Sequence, residues 1–296
     1  MPSDLVDSAV EEFGLVVDQR ATGSASGAGV YGARTAEGRQ VYLKATPAEL
    51  GARALAAARR ELNFYRQLAT ALPVVSPRLL GALDDGQGVV LLLEKAGTPR
   101  DAASWTPDMW ARLGRELAAL HGTPPPTDDY WRRPDVLLQA LTAPDTAAVT
   151  AFWQPALPQL AEVVARRDEL LTRSASLPAV LVHGDCHTDN VVFSDGRPVL
   201  CDWQESVIGR PVSDLAFLSV RATPTGITVP PALLDAYAEA GSHDRGALEQ
   251  ALLAEELAMF VFLWPGYATY IDRVGTERIH RRGRALADRY FRDTDR

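Results

Sequence analysis

The chain has 296 residues, enough for two lobes or one large domain with a sizeable core. Its 47% hydrophobic and 23% charged content is ordinary for a soluble globular protein, and a net charge of −8 argues against a nucleic-acid or anionic-membrane partner. No apolar run approaches the ~18 residues of a membrane helix, Met1 to Asp7 has no signal-peptide pattern, and two cysteines, Cys186 and Cys201, fit a reducing cytoplasm.

The first ninety-odd residues read as strands around one helix. Leu15–Val17 and Val30–Ala33 flank a loop of small residues, Thr22–Gly29, and Gln40–Ala45 makes a third strand after the Glu37-Gly38 turn. A helix follows from about Pro47 to Ala71, with an apolar stripe through Leu55, Ala58, Leu62 and Tyr65. Leu79–Leu83 and Val89–Leu93 are strands around the Asp84-Asp85-Gly86 turn. At Glu94-Lys95-Ala96-Gly97 the character changes to mainly helical, which divides the chain into lobes at 1–95 and 96–296. Helices are expected at 107–121, 134–142, 146–172, 212–219, 231–240, 245–264 and 273–291. A short strand-loop-strand element carrying polar motifs interrupts the second lobe.

That element is the most informative stretch. The run Leu181-Val182-His183-Gly184-Asp185-Cys186-His187-Thr188-Asp189-Asn190 places an acid and an amide five residues apart after an apolar strand. A second acid, Asp202, closes the next apolar run, twelve residues beyond the amide. Such spacing suits phosphoryl transfer: Asp185 orients or accepts an acceptor hydroxyl proton, while Asn190 and Asp202 offer oxygens to Mg²⁺. The alternative, a transition-metal site built on His183 and His187, lacks a second ligand cluster, since His121, His243 and His280 are scattered. His183 and His187 then hold the loop by hydrogen bonds, and Cys186, beside a carboxylate, packs rather than reacts.

Upstream, Lys44 ends an alternating strand and Glu61 lies seventeen residues on in the helix. A lysine on nucleotide phosphates with a helix carboxylate to hold it has this form; taken alone, a solvated strand end and a surface acid explain them better, and it is the downstream motif that reverses the balance. The glycines and Ser24 and Ser26 of residues 23–29 suit close approach to phosphate oxygens, although a flexible hairpin has the same composition. On the kinase reading, and only on it, backbone groups around Glu94 and Ala96 suit an adenine edge, with Tyr42 as a stacking face and Val30 as an apolar roof; a plain interlobe linker explains the same segment. Asp214, near the start of a helix, suits both the helix dipole and a tie to the backbone of the catalytic loop.

Taken together, the residues from about Gly23 to Leu218 resemble the aminoglycoside phosphotransferase and choline kinase-like family of small-molecule kinases. The resemblance implies an α+β, bilobal protein-kinase-like fold: a small antiparallel-sheet lobe with one main helix, and a larger, mainly helical lobe. It further implies Asp185 as catalytic base, Asn190 and Asp202 on Mg²⁺, Lys44 and Glu61 on the phosphates, and Tyr42 on adenine. The loop at 23–29 leaves ATP or GTP open, and Arg210 stands where the family has a small or acidic residue. A protein kinase is disfavoured: eleven residues separate Asp202 from Asp214, and Trp203-Gln204 follows Asp202 instead of Phe-Gly.

The expected function is ATP- and Mg²⁺-dependent phosphorylation of a hydroxyl on a small molecule. Acids and aromatics of the C-terminal region, Glu205, Glu255, Glu256, Phe260, Trp264, Tyr267, Tyr270 and Asp272, suit a cationic acceptor such as an aminoglycoside, a basic peptide antibiotic or an amino alcohol, although Phe260 as core and Glu255 and Glu256 as surface acids explain the same residues equally well. Of these, Glu205, Glu256, Trp264, Tyr267 and Asp272 are the candidate acceptor ligands. The alternatives are a metabolic kinase for an amino alcohol or sugar, and a nucleotide-binding pseudokinase scaffold.

Overall fold

The computed structural model describes residues 2–21 and 28–294. In chain order the first elements are α1 (Pro2–Phe13), β1 (Val16–Ala21), β2 (Gly29–Arg34), β3 (Gln40–Pro47), α2 (Ala52–Asn63), β4 (Leu79–Asp84), β5 (Gly88–Glu94) and β6 (Thr98–Pro99). Helices α3 (Pro107–His121), α4 (Val136–Thr142), α5 (Thr146–Trp153), α6 (Leu160–Ala165) and α7 (Arg167–Ser174) follow. Then come β7 (Val180–Val182), β8 (Val191–Ser194), β9 (Arg197–Leu200), β10 (Val207–Gly209), α8 (Pro211–Ala222), α9 (Pro231–Gly241), α10 (Arg245–Leu263) and α11 (Arg273–Thr294).

Two compact units result: Met1–Pro99 with Val191–Ser206, and Arg100–Asn190 with Val207–Arg296. The small unit thus takes in β8, β9 and Asp202, which a single division after residue 95 places with the other lobe. Its main sheet is antiparallel, in the order β1-β2-β3-β5-β4. β3 is central, and alternation puts Val41, Leu43 and Ala45 on one face, packed with Leu5, Val6 and Ala9 of α1. The opposite face carries Tyr42 and Lys44. Helix α1 was not expected from the sequence; its Leu5, Val6, Ala9 and Phe13 recur at helical spacing, a signal overlooked there. β6, β8 and β9 form a second small sheet. Gly97 lies so close to it that an added Cβ would meet the Phe193 carbonyl oxygen at 2.8 Å.

The second unit is mainly helical, with a two-stranded β7–β10 ribbon. Its core surrounds α10, where Leu257, Phe260 and Val261 are buried with Trp153, Ile279 and Leu286. The single helix expected over 146–172 is instead three, α5, α6 and α7. Pro155 and Pro158 explain the break between α5 and α6, because each removes a backbone donor and bars a continued helix. Among the described residues, no helix is long and apolar enough to cross a membrane.

Candidate active site

In the small unit, strand pairing sets Lys44 opposite Val30 of β2 and Leu91 of β5, so these three share a face with Tyr42. The Lys44 ammonium donates to Glu61 Oε2 at 2.6 Å and to Asp202 Oδ1 at 2.8 Å. Lys44 and Glu61 are buried and Asp202 is partly exposed. Burial works against the charge on Lys44, but the Glu61 and Asp202 carboxylates outweigh it and raise its pKa. Burial likewise pushes the Glu61 carboxyl up, and the ammonium opposes it. Lys44 and Glu61 are therefore an ion pair in the structure, and Asp202 joins them.

Asp202 has φ of +64°, a left-handed conformation rare for a residue with a side chain. Several contacts hold it there. The next residue, Trp203, stacks on Phe64, and its indole N–H donates to the Leu200 carbonyl at 2.9 Å. Ser206 Oγ donates to the Trp203 carbonyl at 2.7 Å, and the Arg60 guanidinium donates to the Gln204 carbonyl. Phe64 opens a turn wound with i→i+5 bonding, Ala69 N to the Phe64 carbonyl at 3.0 Å, which extends α2. Cys201 beside this cluster has its thiol pushed up to about 12, first by burial and then by Glu61 and Asp202.

In the second unit, residues 183–190 leave β7 and end in a short 3₁₀ turn, Thr188–Asn190. Asp214, buried in the first turn of α8, accepts from His183 N at 2.8 Å and Gly184 N at 2.9 Å. Gly184, at φ +80°, gives the bend that presents both amides. His121 Nε2 lies 3.1 Å from Asp214, and its Nδ1 lies 2.9 Å from the Tyr237 hydroxyl. Burial raises the Asp214 carboxyl, but His121 and the His183 backbone reverse this and hold it below its ordinary value. Asp214 thus has both expected roles, helix acid and loop anchor. Asn190 Nδ2 donates to the Asp185 carbonyl at 2.9 Å and to its Oδ2 at 3.1 Å, which turns Asn190 Oδ1 the other way. Asp185 is partly exposed, with His187 Nε2 3.8 Å from its Oδ2.

Among the described residues no group of three or more His, Cys, Asp or Glu side chains is arranged to hold a metal. Mg²⁺ on a nucleotide needs only one or two protein oxygens. Asn190 Oδ1 and the Asp202 carboxylate are of the right kind.

The other expected residues are distributed unevenly. Ser24 and Ser26 lie outside the described residues. Val30, Tyr42 and Ala96 are half-buried. The Glu94 amide donates to the Arg78 carbonyl at 2.9 Å, and its carboxylate pairs with Arg39 and Arg78. Glu205 belongs to the small unit and faces Arg60 at 3.8 Å. Glu256 is buried between Ser219 Oγ and Arg282, whose Nη2 is 2.7 Å away, so it is not an open carboxylate for a cation. Glu255 is likewise paired with Arg210, and Phe260 is core. Asp272 Oδ1 caps α11 by accepting from Gly275 N at 2.7 Å. Trp264 is buried, edge-on to an exposed Tyr267, and Tyr270 is exposed. His121 and Phe64 had no sequence signal; Trp203, adjacent to Asp202, and Arg210, a departure from the family pattern, stood out in the sequence without an assigned role.

A family model for phosphotransferase enzymes (APH) matches residues 21–251. The chain belongs to this phosphotransferase family. It is a small-molecule phosphotransferase with the family's α+β kinase-like fold. Among solved structures, an aminoglycoside 2'-phosphotransferase in a GDP complex has a TM-score of 0.69 at 12% identity, covering 98% of this chain and 97% of that one. An amicoumacin kinase in complex with AMP-PNP, Ca²⁺ and its antibiotic has a TM-score of 0.67 at 14% identity, covering 97% and 93%. A candidate fructosamine-3-kinase from Haemophilus somnus has a TM-score of 0.61 at 14% identity, covering 96% and 95%. At these identities the likeness is one of fold. No curated protein sequence matches closely enough to extend the assignment.

Proposed function

We propose that this phosphotransferase moves the terminal phosphoryl group of ATP or GTP onto a hydroxyl of a cationic antibiotic, in the cytoplasm, and so confers resistance. The observation that carries the reading is the Lys44 ammonium held by Glu61 and Asp202. A buried cation fixed by a helix carboxylate is what anchoring of nucleotide phosphates requires. Tyr42, Val30, Ser24 and Ser26, with backbone groups at Glu94 and Ala96, complete the nucleotide side. Asp185 takes the proton of the acceptor hydroxyl as its oxygen bonds to phosphorus and the bond to the leaving diphosphate breaks. Asn190 and Asp202 are the residues that would hold Mg²⁺, which supplies charge neutralisation on the phosphates when bound. Lys44 orients the donor, and Asp214 keeps the Asp185 loop in place.

For the acceptor, Tyr267 and Asp272 are the exposed groups, with Trp264 buried edge-on to Tyr267 and Glu205 half-buried opposite Arg60, whereas the Glu256 charge is already matched by Arg282. A metabolic acceptor, an amino alcohol, sugar or glycated amine, is the second reading, favoured by the fold likeness to the candidate fructosamine kinase.

The test is nucleotide consumption with ATP and GTP plus Mg²⁺ across aminoglycosides, basic peptide antibiotics, macrolides, amino alcohols and sugars, with mass spectrometry of the acceptor. Gain of one phosphoryl group on an antibiotic, lost in Asp185→Asn, supports the reading. Turnover of a metabolite alone moves it to the second reading. Failure to bind any nucleotide overturns both.

A further inference from the structure

We propose that Arg210 is a positioning residue for phosphoryl transfer: it fixes the first turn of α8 and, through Asp214, the backbone that carries Asp185. The inference rests on the reading of Asp185 as the base. Arg210 directly precedes α8, and its guanidinium is buried. Its Nε and Nη2 donate to the two oxygens of Glu255 on α10, at 2.8 and 2.9 Å. Its Nη1 donates to Asp135 Oδ2 at 2.7 Å, while Asp135 Oδ1 caps α4 by accepting from Leu138 N at 2.7 Å. One guanidinium therefore ties the starts of α8 and α4 to the middle of α10.

Asp214 stands four residues on, one helical turn away, with both carboxylate oxygens on the amides of His183 and Gly184. Any tilt of the first turn of α8 is passed directly to the loop two residues before Asp185. A planar fork bonded at both ends restricts orientation more tightly than apolar contact does. Stability alone does not call for it, because well-packed apolar replacements of buried ionic triads are often neutral or stabilising. Pro211, Val212 and Leu215 already bury the same end of the helix. What the triad adds is a defined angle.

The experiment compares wild type with an Arg210→Met/Glu255→Met double variant, which keeps side-chain volume and removes the buried ion pair while the partly exposed Asp135 stays as the cap of α4, and with Arg210→Lys. The double variant should melt close to wild type and keep its nucleotide KM, while kcat falls about 10- to 10²-fold. Hydrogen exchange at the His183 and Gly184 amides should accelerate at least about tenfold, as expected when their acceptor is no longer held. Arg210→Lys, which keeps the charge and loses the fork, should fall between. Wild-type kcat with wild-type protection of those amides overturns the proposal. Should the double variant fail to fold, unchanged amide protection and kcat in Arg210→Lys overturns it equally. Full turnover in Asp185→Asn would instead remove the base assignment, while the exchange data would still report the link from Arg210 to the loop.

Discussion

The Trp203 indole lies flat on the Phe64 ring, with centroids 3.9 Å apart and planes 8° from parallel. The residue after Asp202 is thereby fastened to the helical segment that carries Glu61. Both rings are fully buried, so their contact holds two chemical groups at once: the acid that meets Lys44 from α2 and the acid that meets it from the loop after β9. Phe64→Ala should destabilise the protein by about 3–5 kcal/mol, the usual cost of truncating a core aromatic. Trp203→Phe, which keeps a stacking partner, should cost less. Urea unfolding midpoints at constant slope would measure both.

Lys44→Met should abolish turnover and destabilise by about 3–5 kcal/mol, because Glu61 is left buried without its counter-charge. Glu61→Gln added to it should recover much of the stability and none of the activity. Thermal melts paired with nucleotide-consumption rates would separate the two effects; recovery of activity in the double variant would contradict a phosphate-anchoring role.

Asp214 predicts an acid limb of stability. Its folded pKa lies below its unfolded value near 3.8, so between the two the unfolded state binds more protons and stability rises with pH. The contribution is complete above about pH 4 and is lost as pH falls through the lowered folded value. Asp214→Asn should remove that limb and cost roughly 1–3 kcal/mol, because one amide nitrogen then faces a backbone donor. Denaturant midpoints from pH 3 to 7 in the two proteins give the comparison.

Asn190→Ala and Asp202→Ala should each raise the Mg²⁺ concentration needed for half-maximal rate. Asp185→Asn should instead lower kcat by about 10²–10⁴-fold at saturating metal. A Mg²⁺ titration of the three variants distinguishes metal ligand from proton acceptor.

Much of this arrangement is legible along the chain, because its signals are local. Alternation over 40–45 sets Tyr42 and Lys44 on one face of β3, and spacing puts Glu61 in the following helix. The five-residue interval from Asp185 to Asn190 is closed by the asparagine side chain itself. Helix α3 starts with Pro107 after the Thr106 cap and runs to His121, the bounds expected from the sequence. Pro155 and Pro158 were equally visible, and giving them weight would have divided the helix expected over 146–172.

The sequence by itself determined which acids, amide and lysine are present, and the local elements that carry them. Tertiary structure alone decided their partners. His121 reaches Asp214 across 93 residues, Lys44 reaches Asp202 across 158, and Arg210 reaches Glu255 across 45. None of these separations is encoded by a helical or strand period. The same packing withdrew Glu255 and Glu256 from the acceptor side, since burial of an acid requires a counter-charge and folding supplied Arg210 and Arg282. A sequence shows that a carboxylate exists; only the packed chain shows whether its charge is still available.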